Sequence, residues 1–114
     1  MYPSGQWDGF WFQEAFGKQK MTAFALRFSN GKITGEGGDV VGRFTFAGTY
    51  DIEKGDIAMV KQYIGKHRVH YSGKPDGEGC IGGTWMVEGV WKGPFLLRPV
   101  IQRPRGDEPI EEME

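Results

Sequence analysis

Apolar and polar residues alternate over short stretches along most of the chain, with the two-residue period that is typical of β-strands. In one stretch Phe24, Leu26 and Phe28 alternate with small or polar residues, and Phe44 and Phe46 do the same in another. Turn sequences that contain glycine separate the stretches. The pattern predicts eight strands, near residues 6–16, 21–28, 32–37, 42–50, 57–64, 67–73, 80–87 and 93–100.

The segment 18–30 has two interpretations, because its apolar residues from Met21 to Phe28 have helical spacing as well as strand alternation. The chain has 19 glycines, which disfavour helices in general. Asn30-Gly31 follows at once and is a strong signal for a two-residue hairpin turn. We therefore interpret the segment as a strand whose Phe28 pairs with Ile33.

Eight successive short strands predict an all-β fold, an antiparallel up-and-down meander. Closure of that sheet into a roughly eight-stranded β-barrel would remove its unpaired edges. We assign the barrel to residues 1–103 as a single domain and interpret 104–114, which is acidic and contains proline, as a disordered tail. The strand faces predict a core of Phe24, Leu26, Phe28, Ile33, Phe44, Phe46, Val60, Val69, Tyr71 and Trp85.

The densest group of polar and aromatic residues lies at 61–71. A two-residue turn at Gly65-Lys66 would pair Gln62 with Val69 and direct both to the core, where a polar amide needs partners. The predicted ligand-binding residues, polar groups first and walls after them, are Gln62, His67, Tyr71, Tyr50, Trp85 and Trp11. The same turn places Lys61, Arg68 and His70 on the outer face, where we interpret them as solvated.

Trp91 falls in a predicted loop at 88–93, outside the apolar face of any predicted strand. An exposed tryptophan in a loop indicates an interface or a lid over the mouth of a barrel. A tryptophan folded back under its own loop would be structural instead. The sequence leaves both interpretations open.

A tripeptide of glycine, any residue and an aromatic residue recurs along the chain. The tripeptide GQW at 5–7 resembles the opening of lipocalins and avidins, and FAGTY at 46–50 resembles a stretch of avidin-type barrels. The resemblance implies an eight-stranded barrel that holds one small ligand inside. Avidins continue with a polar biotin-binding set, whereas this chain continues with DGFW at 8–11, so we do not predict biotin binding.

Charge and cysteine content limit the classes of partner and compartment. Of the 14 basic and 15 acidic residues, the segment 104–114 holds one and five, which leaves 13 and 10 for 1–103. That excess is small for a nucleic-acid binder, and no apolar stretch approaches the roughly 20 residues of a membrane span. We predict no nucleic-acid partner and no membrane partner. A single cysteine, Cys80, and a start without leader features favour the cytoplasm.

The sequence predicts no cofactor, no metal and no catalytic residue. Glycine pairs such as Gly82-Gly83 have no phosphate-binding context. His67 and His70 are three residues apart, so they point to opposite faces of a strand rather than to one metal ion. The sequence does not decide whether the protein forms a homo-oligomer.

Three functions from different classes are compatible with these observations. The favoured one is a non-catalytic barrel that binds a small, partly apolar molecule of unknown identity. The alternatives are a structural or protein-interaction module whose barrel is filled by its own side chains, and a barrel isomerase or cyclase. The size of the internal cavity discriminates among them, because typical ligand pockets begin at roughly 300 Å³.

Overall fold

Eight antiparallel strands follow one another along residues 2–100, the part of the chain that the computed structural model describes. They are β1 (Gly5–Gln13), β2 (Gly17–Ser29), β3 (Lys32–Asp39), β4 (Arg43–Tyr50), β5 (Ile57–Tyr63), β6 (Arg68–Pro75), β7 (Ile81–Val87) and β8 (Trp91–Pro99). Each strand pairs with the next, and β8 pairs with β1, so the sheet closes into a barrel. The predicted fold class, strand number and meander order are confirmed.

The hairpin between β2 and β3 has the predicted two-residue turn. Asn30 and Gly31 both have positive φ angles, 52° and 79°, as a type I′ turn requires. The turn pairs Phe28 with Ile33, and the strand interpretation of 18–30 is therefore confirmed. Because this register places every second side chain of β2 inside the barrel, Leu26 is fully buried.

The hairpin between β5 and β6 differs from the prediction. The amide of Lys66 donates to the carbonyl of Tyr63 at 3.0 Å, and the amide of Tyr63 donates to the carbonyl of His67 at 3.2 Å. The connecting loop therefore has three residues, 64–66, rather than two. Gly65, with a φ of 73°, occupies the left-handed position of that loop.

One extra loop residue reverses the two faces of β5 relative to β6. Lys61, rather than Gln62, pairs with Val69 and points into the barrel. Gln62 and Val60 lie on the outer face, so the predictions that they face the core are wrong. The prediction that Lys61 is a solvated surface residue is wrong for the same reason.

The interior is otherwise close to the predicted core. Phe28 is half-buried and packs against the core, whereas the other predicted residues apart from Val60 are buried. The structure adds further buried side chains that the strand pattern did not single out: Tyr2, Trp7, Met21, Ile57, Met59, Tyr63, Ile81, Phe95 and Leu97.

One end of the barrel, which we call the closed end, is sealed by the segment that precedes β1. The ring of Tyr2 lies 5.2 Å from that of Phe28, 6.1 Å from that of Trp7 and 6.5 Å from that of Tyr50, measured between centroids. The Tyr2 hydroxyl donates to the carbonyl of Gly55 at 2.6 Å, which anchors the seal to the loop between β4 and β5. Within residues 2–100 the closed end is therefore blocked by side chains, and the interior opens at the opposite end, which we call the open end.

The predicted tail at 104–114 and the last residues of the predicted domain lie outside the described residues. Within 2–100, no helix is long and apolar enough to cross a membrane.

The corrected register of β5 predicts opposite outcomes for two neighbouring substitutions. Met59→Ala removes a buried side chain and should lower the free energy of unfolding by about 2–5 kcal/mol. Val60→Ala removes an outward side chain and should lower it by less than about 1 kcal/mol. Urea unfolding of both variants measures the difference in the free energy of unfolding. A larger decrease for Val60→Ala than for Met59→Ala would favour the two-residue turn over the three-residue loop.

Candidate functional site

A recess of about 100 Å³ enters the barrel from the open end. Its walls are mostly aromatic, because Trp11, Tyr71 and Trp85 project inward from three different strands. The ring of Trp11 meets that of Trp85 edge-on, with 5.6 Å between centroids. Trp91 and Phe16 stand at the mouth. We call this recess the pocket.

Four of the six predicted ligand-binding residues line the pocket: Trp11, His67, Tyr71 and Trp85. His67 lies at the rim, exposed to solvent, with its ring 5.2 Å from that of Tyr63. The structure thus brings together two of the three predicted wall residues and two of the three predicted polar contacts.

The other two predicted residues do not reach the pocket. Tyr50 lies at the closed end, where its ring packs 5.5 Å from that of Phe28. Gln62 lies on the outer face, where its amide donates to the carbonyls of Tyr63 and Lys66, both at 2.9 Å. Gln62 therefore braces the loop between β5 and β6 from outside, and its amide hydrogens have backbone partners without any ligand.

Three polar side chains that the sequence did not predict meet beside the pocket, and we call them the polar cluster: Asp39, Lys61 and Tyr63. The Lys61 ammonium nitrogen lies 2.9 Å from Asp39 Oδ2 and donates to the Tyr63 hydroxyl at 2.9 Å. The Tyr63 hydroxyl in turn donates to Asp39 Oδ2 at 2.6 Å. The side chains of the ion pair are 1% and 0% exposed, so the two charges are removed from water.

Asp39 is held in place by the turn that follows it. It ends β3, and its backbone exchanges two hydrogen bonds with Gly42, both at 3.1 Å. Its Oδ1 accepts from the amide of Val41 at 2.9 Å, and its Oδ2 also accepts from the Trp11 indole at 3.3 Å. The carboxylate therefore joins β1, the β3–β4 turn and β5.

Aromatic rings surround the charge of Lys61. Its ammonium nitrogen lies 4.6 Å from the ring centroid of Phe44, 4.8 Å from that of Tyr63 and 5.3 Å from that of Tyr71. Such contacts stabilise a cation through the negative faces of the rings. They replace part of the hydration that Lys61 loses.

Burial and pairing act in opposite directions on these ionisable groups. Burial lowers the pKa of Lys61 to about 8, and the neighbouring Asp39 only partly opposes that shift. Burial favours the neutral form of Asp39, but the charge of Lys61 and the hydrogen bonds from Tyr63 and Lys61 together leave its pKa below the ordinary value. Burial raises the pKa of Tyr63 and of Tyr71, so both remain phenols.

Two polar hydrogens at the pocket have weak partners or none among residues 2–100. A lysine ammonium has three donors, and Lys61 uses two of them, on Asp39 and Tyr63. The Tyr71 hydroxyl donates only to the sulfur of Met21, at 3.8 Å, and a thioether is a weak acceptor. An oxygen acceptor in the pocket would satisfy them.

The position of Trp85 depends on a glycine in the next strand. Its indole donates to the carbonyl of Phe12 at 2.9 Å. A Cβ atom on Gly93 would lie 2.9 Å from the Trp85 indole nitrogen and 2.1 Å from that carbonyl oxygen. Only glycine leaves room for this hydrogen bond, which fixes one wall of the pocket.

Trp91 begins β8 rather than lying in a loop. Its side chain lines the pocket and is 48% exposed. It is therefore not folded away under the loop, and of the two interpretations the structure supports a place at the barrel mouth.

The polar cluster gave little signal in the sequence. Asp39 follows two glycines, a context that is typical of an ordinary turn residue. Lys61 is 22 residues away and inward only if the β5–β6 loop has three residues. Alternation from Ile57 through Met59 to Tyr63 is the one sequence signal that places Lys61 on an apolar face.

Comparisons with known proteins leave the family open: no protein-family model matches the chain, and no curated protein matches it. Among residues 2–100, no group of three or more histidine, cysteine or acidic side chains is arranged to hold a metal ion.

The lowered pKa of Lys61 predicts a change of stability with pH. Lysine in the unfolded chain keeps its ordinary pKa, 10.5, so between pH 8 and 10.5 unfolding takes up a proton. The free energy of unfolding should therefore rise with pH in that window and be flat just below it. From pH 7.5 to 9.5, wild type should gain about 2 kcal/mol relative to Asp39→Asn/Lys61→Met, which removes both charges and leaves no unpaired buried carboxylate.

Urea unfolding of both proteins at the two pH values measures this gain, because the tyrosines and all other lysines are common to both. Parallel pH profiles would show that Lys61 keeps an ordinary pKa in the folded protein.

Proposed function

We propose that the protein is a non-catalytic barrel that binds a small, partly apolar molecule in the pocket at its open end. The polar cluster carries this proposal, because it places charged and hydroxyl groups in the wall of a recess that is otherwise aromatic. Small-ligand sites commonly combine apolar walls with a few polar groups that orient the ligand.

Stability alone is a poor explanation for the buried Asp39–Lys61 pair. Removing two charges from water costs free energy that their attraction often fails to recover, and apolar replacements are often neutral or stabilising. A barrel that needed only a filled interior would do as well with apolar side chains at both 39 and 61. A buried ionisable group with a shifted pKa beside a recess is instead typical of functional sites.

The free polar hydrogens indicate the chemistry of the ligand. The third donor of Lys61 and the hydroxyl of Tyr71 suit a carbonyl or carboxylate oxygen, and the rings of Trp11 and Trp85 suit a flat apolar body. The volume of about 100 Å³ is below the usual range for larger ligands. We therefore infer a compact molecule, or one end of a longer molecule whose remainder lies at the mouth.

A filled structural or interaction module is the second candidate. The observation that favours it is the packing of the interior between the pocket and the closed end. The ring centroids of Phe44 and Phe46 lie 5.1 Å apart, and those of Phe24 and Phe46 lie 5.7 Å apart. The protein's own side chains therefore fill this part of the barrel.

We place this function in the cytoplasm. The chain has one cysteine, and burial raises the pKa of the half-buried Cys80 thiol, which keeps it protonated and unreactive. A protein with one such thiol suits a reducing compartment.

The proposal predicts that a ligand with an oxygen acceptor is sensitive to Tyr71 but not to Tyr50. Benzoate serves as a carboxylate probe and acetophenone as a neutral carbonyl probe, followed by NMR titration and thermal shift. Tyr71→Phe should lose about 1–3 kcal/mol of binding free energy, because the ligand oxygen loses a buried partner. Tyr50→Phe is the matched control, since it removes the same hydroxyl at the closed end.

Lys61→Met tests the other donor and should weaken benzoate more than acetophenone, because it removes a positive charge. Failure of both probes to bind wild type, or equal affinities for Tyr71→Phe and Tyr50→Phe, would favour the filled module. A native mass spectrum of freshly purified protein shows whether a molecule co-purifies and how many subunits the particle contains.

A further inference from the structure

The four loops at the open end share a feature that, within residues 2–100, the β4–β5 loop alone shows at the closed end. Each carries a large apolar side chain that is mostly exposed, and we call these the apolar tips: Phe16, Val40, Ile64 and Val90, 63%, 74%, 60% and 64% exposed. Trp91, half-exposed, stands next to Val90. Side chains from all four loop regions surround the pocket mouth, so the tips lie around one opening.

A set of basic residues lies just below the apolar tips, and we call it the basic belt. Every strand that runs away from the open end has an exposed basic side chain within its first two residues: Lys18, Arg43, Arg68 and Lys92. Lys66 adds a fifth positive charge in the β5–β6 loop, and Glu14 and Glu88 are the exposed acidic residues of the four loops. The open end is therefore both apolar and positively charged.

The closed end has the opposite character. The β4–β5 loop carries Asp51, Glu53 and Asp56 against Lys54, and the β6–β7 loop, at residues 76–80, carries two acidic residues and no basic one. Ile52 is the large apolar side chain exposed in these loops. Lys32 and Lys74, at the closed ends of β3 and β6, offset part of this charge, but the net charge stays negative there and positive at the open end. Most of the exposed apolar side chains of the loops lie at the open end.

We propose that the open end docks on an anionic lipid bilayer, with the apolar tips inserted below the headgroups and the basic belt against them. Apolar groups with basic residues behind them are the usual means by which proteins bind a membrane surface without crossing it. Tryptophan, as at Trp91, prefers the same interfacial depth. This proposal departs from the sequence prediction of no membrane partner, which rests on the lack of a spanning segment; docking on a membrane surface needs none.

Charge favours lipid over a second copy of the chain. Two open ends placed face to face would bring two basic belts together, and like charges across an interface oppose association. The cytoplasmic leaflet of a membrane is negatively charged and attracts basic groups within a Debye length. The docking surface is separate from the polar cluster, and the proposal does not depend on what the pocket binds.

Flotation with lipid vesicles tests the proposal on the full chain. Wild type should float with vesicles of phosphatidylcholine and phosphatidylserine at 0.1 M salt, and much less with phosphatidylcholine alone. Ile64→Ser/Val90→Ser removes two tips that do not line the pocket and should lower the bound fraction by about tenfold or more. Ile52→Ser is the matched control, because Ile52 is equally exposed at the closed end, and it should change binding by less than about twofold.

Charge is tested separately. Arg68→Glu/Lys92→Glu should weaken binding to anionic vesicles by about tenfold or more, whereas Lys32→Glu/Lys74→Glu makes the same change of net charge at the closed end and should have a small effect. The comparison of these two charge-reversal variants also tests membrane docking if Ile64→Ser/Val90→Ser fails to fold.

Three results would overturn the proposal. They are the failure of wild type to float with anionic vesicles, equal binding to neutral and anionic vesicles, and equal losses in the closed-end controls. A dimer of wild type that Ile64→Ser/Val90→Ser converts to a monomer would assign the surface to a second copy instead. Because the benzoate and acetophenone titrations contain no lipid, their outcome is independent of this one.

Discussion

The carboxylate of Asp39 connects the strands at the open end of the barrel. It accepts hydrogen bonds from the indole of Trp11, the ammonium group of Lys61 and the hydroxyl of Tyr63, which project from β1 and β5, and from the amide of Val41 in the turn beyond β3. Strands that are not neighbours in the sheet are thereby joined across the interior. The pocket exists because this polar junction, rather than another layer of apolar side chains, occupies that end.

The two ends of the barrel interior are closed by different interactions. At the closed end, Tyr2 and the rings around it exclude water by packing, and its hydroxyl finds a backbone carbonyl. At the open end, burial of an ion pair leaves hydrogen-bond donors beside an aromatic recess. A ligand that brings an oxygen acceptor and an apolar body would complete the second end in the way that Tyr2 completes the first.

Much of the fold could be predicted from the sequence because its signals are local. Asn30-Gly31 fixes both the turn type and the register of its hairpin, and the alternation of Phe44 and Phe46 fixes which face of β4 is buried. The prediction of the β5–β6 hairpin fails because Gly65 is compatible with a loop of two residues or of three. The one-residue difference in loop length decides whether Lys61 or Gln62 points into the barrel. The aromatic walls of the pocket follow from strand alternation, whereas the pairing of Asp39 with Lys61 depends on contacts between distant strands that no local pattern encodes.

The shortness of the loops at the open end has a kinetic consequence. All four turns are closed by backbone hydrogen bonds at the strand ends. The amides of Phe16, Lys66 and Val90 donate to the carbonyls of Gln13, Tyr63 and Val87, each at 3.0 Å, and Asp39 and Gly42 exchange two bonds at 3.1 Å. Segments this short and this well tied cannot swing over the mouth as a lid, a motion that takes microseconds to milliseconds where it occurs. Phe16 and Trp91 line the mouth and are exposed, so we expect rotation of such single side chains, which takes picoseconds to nanoseconds, to be the motion that affects access. Molecules should therefore enter and leave this barrel at rates set by diffusion and by the strength of their contacts, without a conformational step that the backbone must complete first.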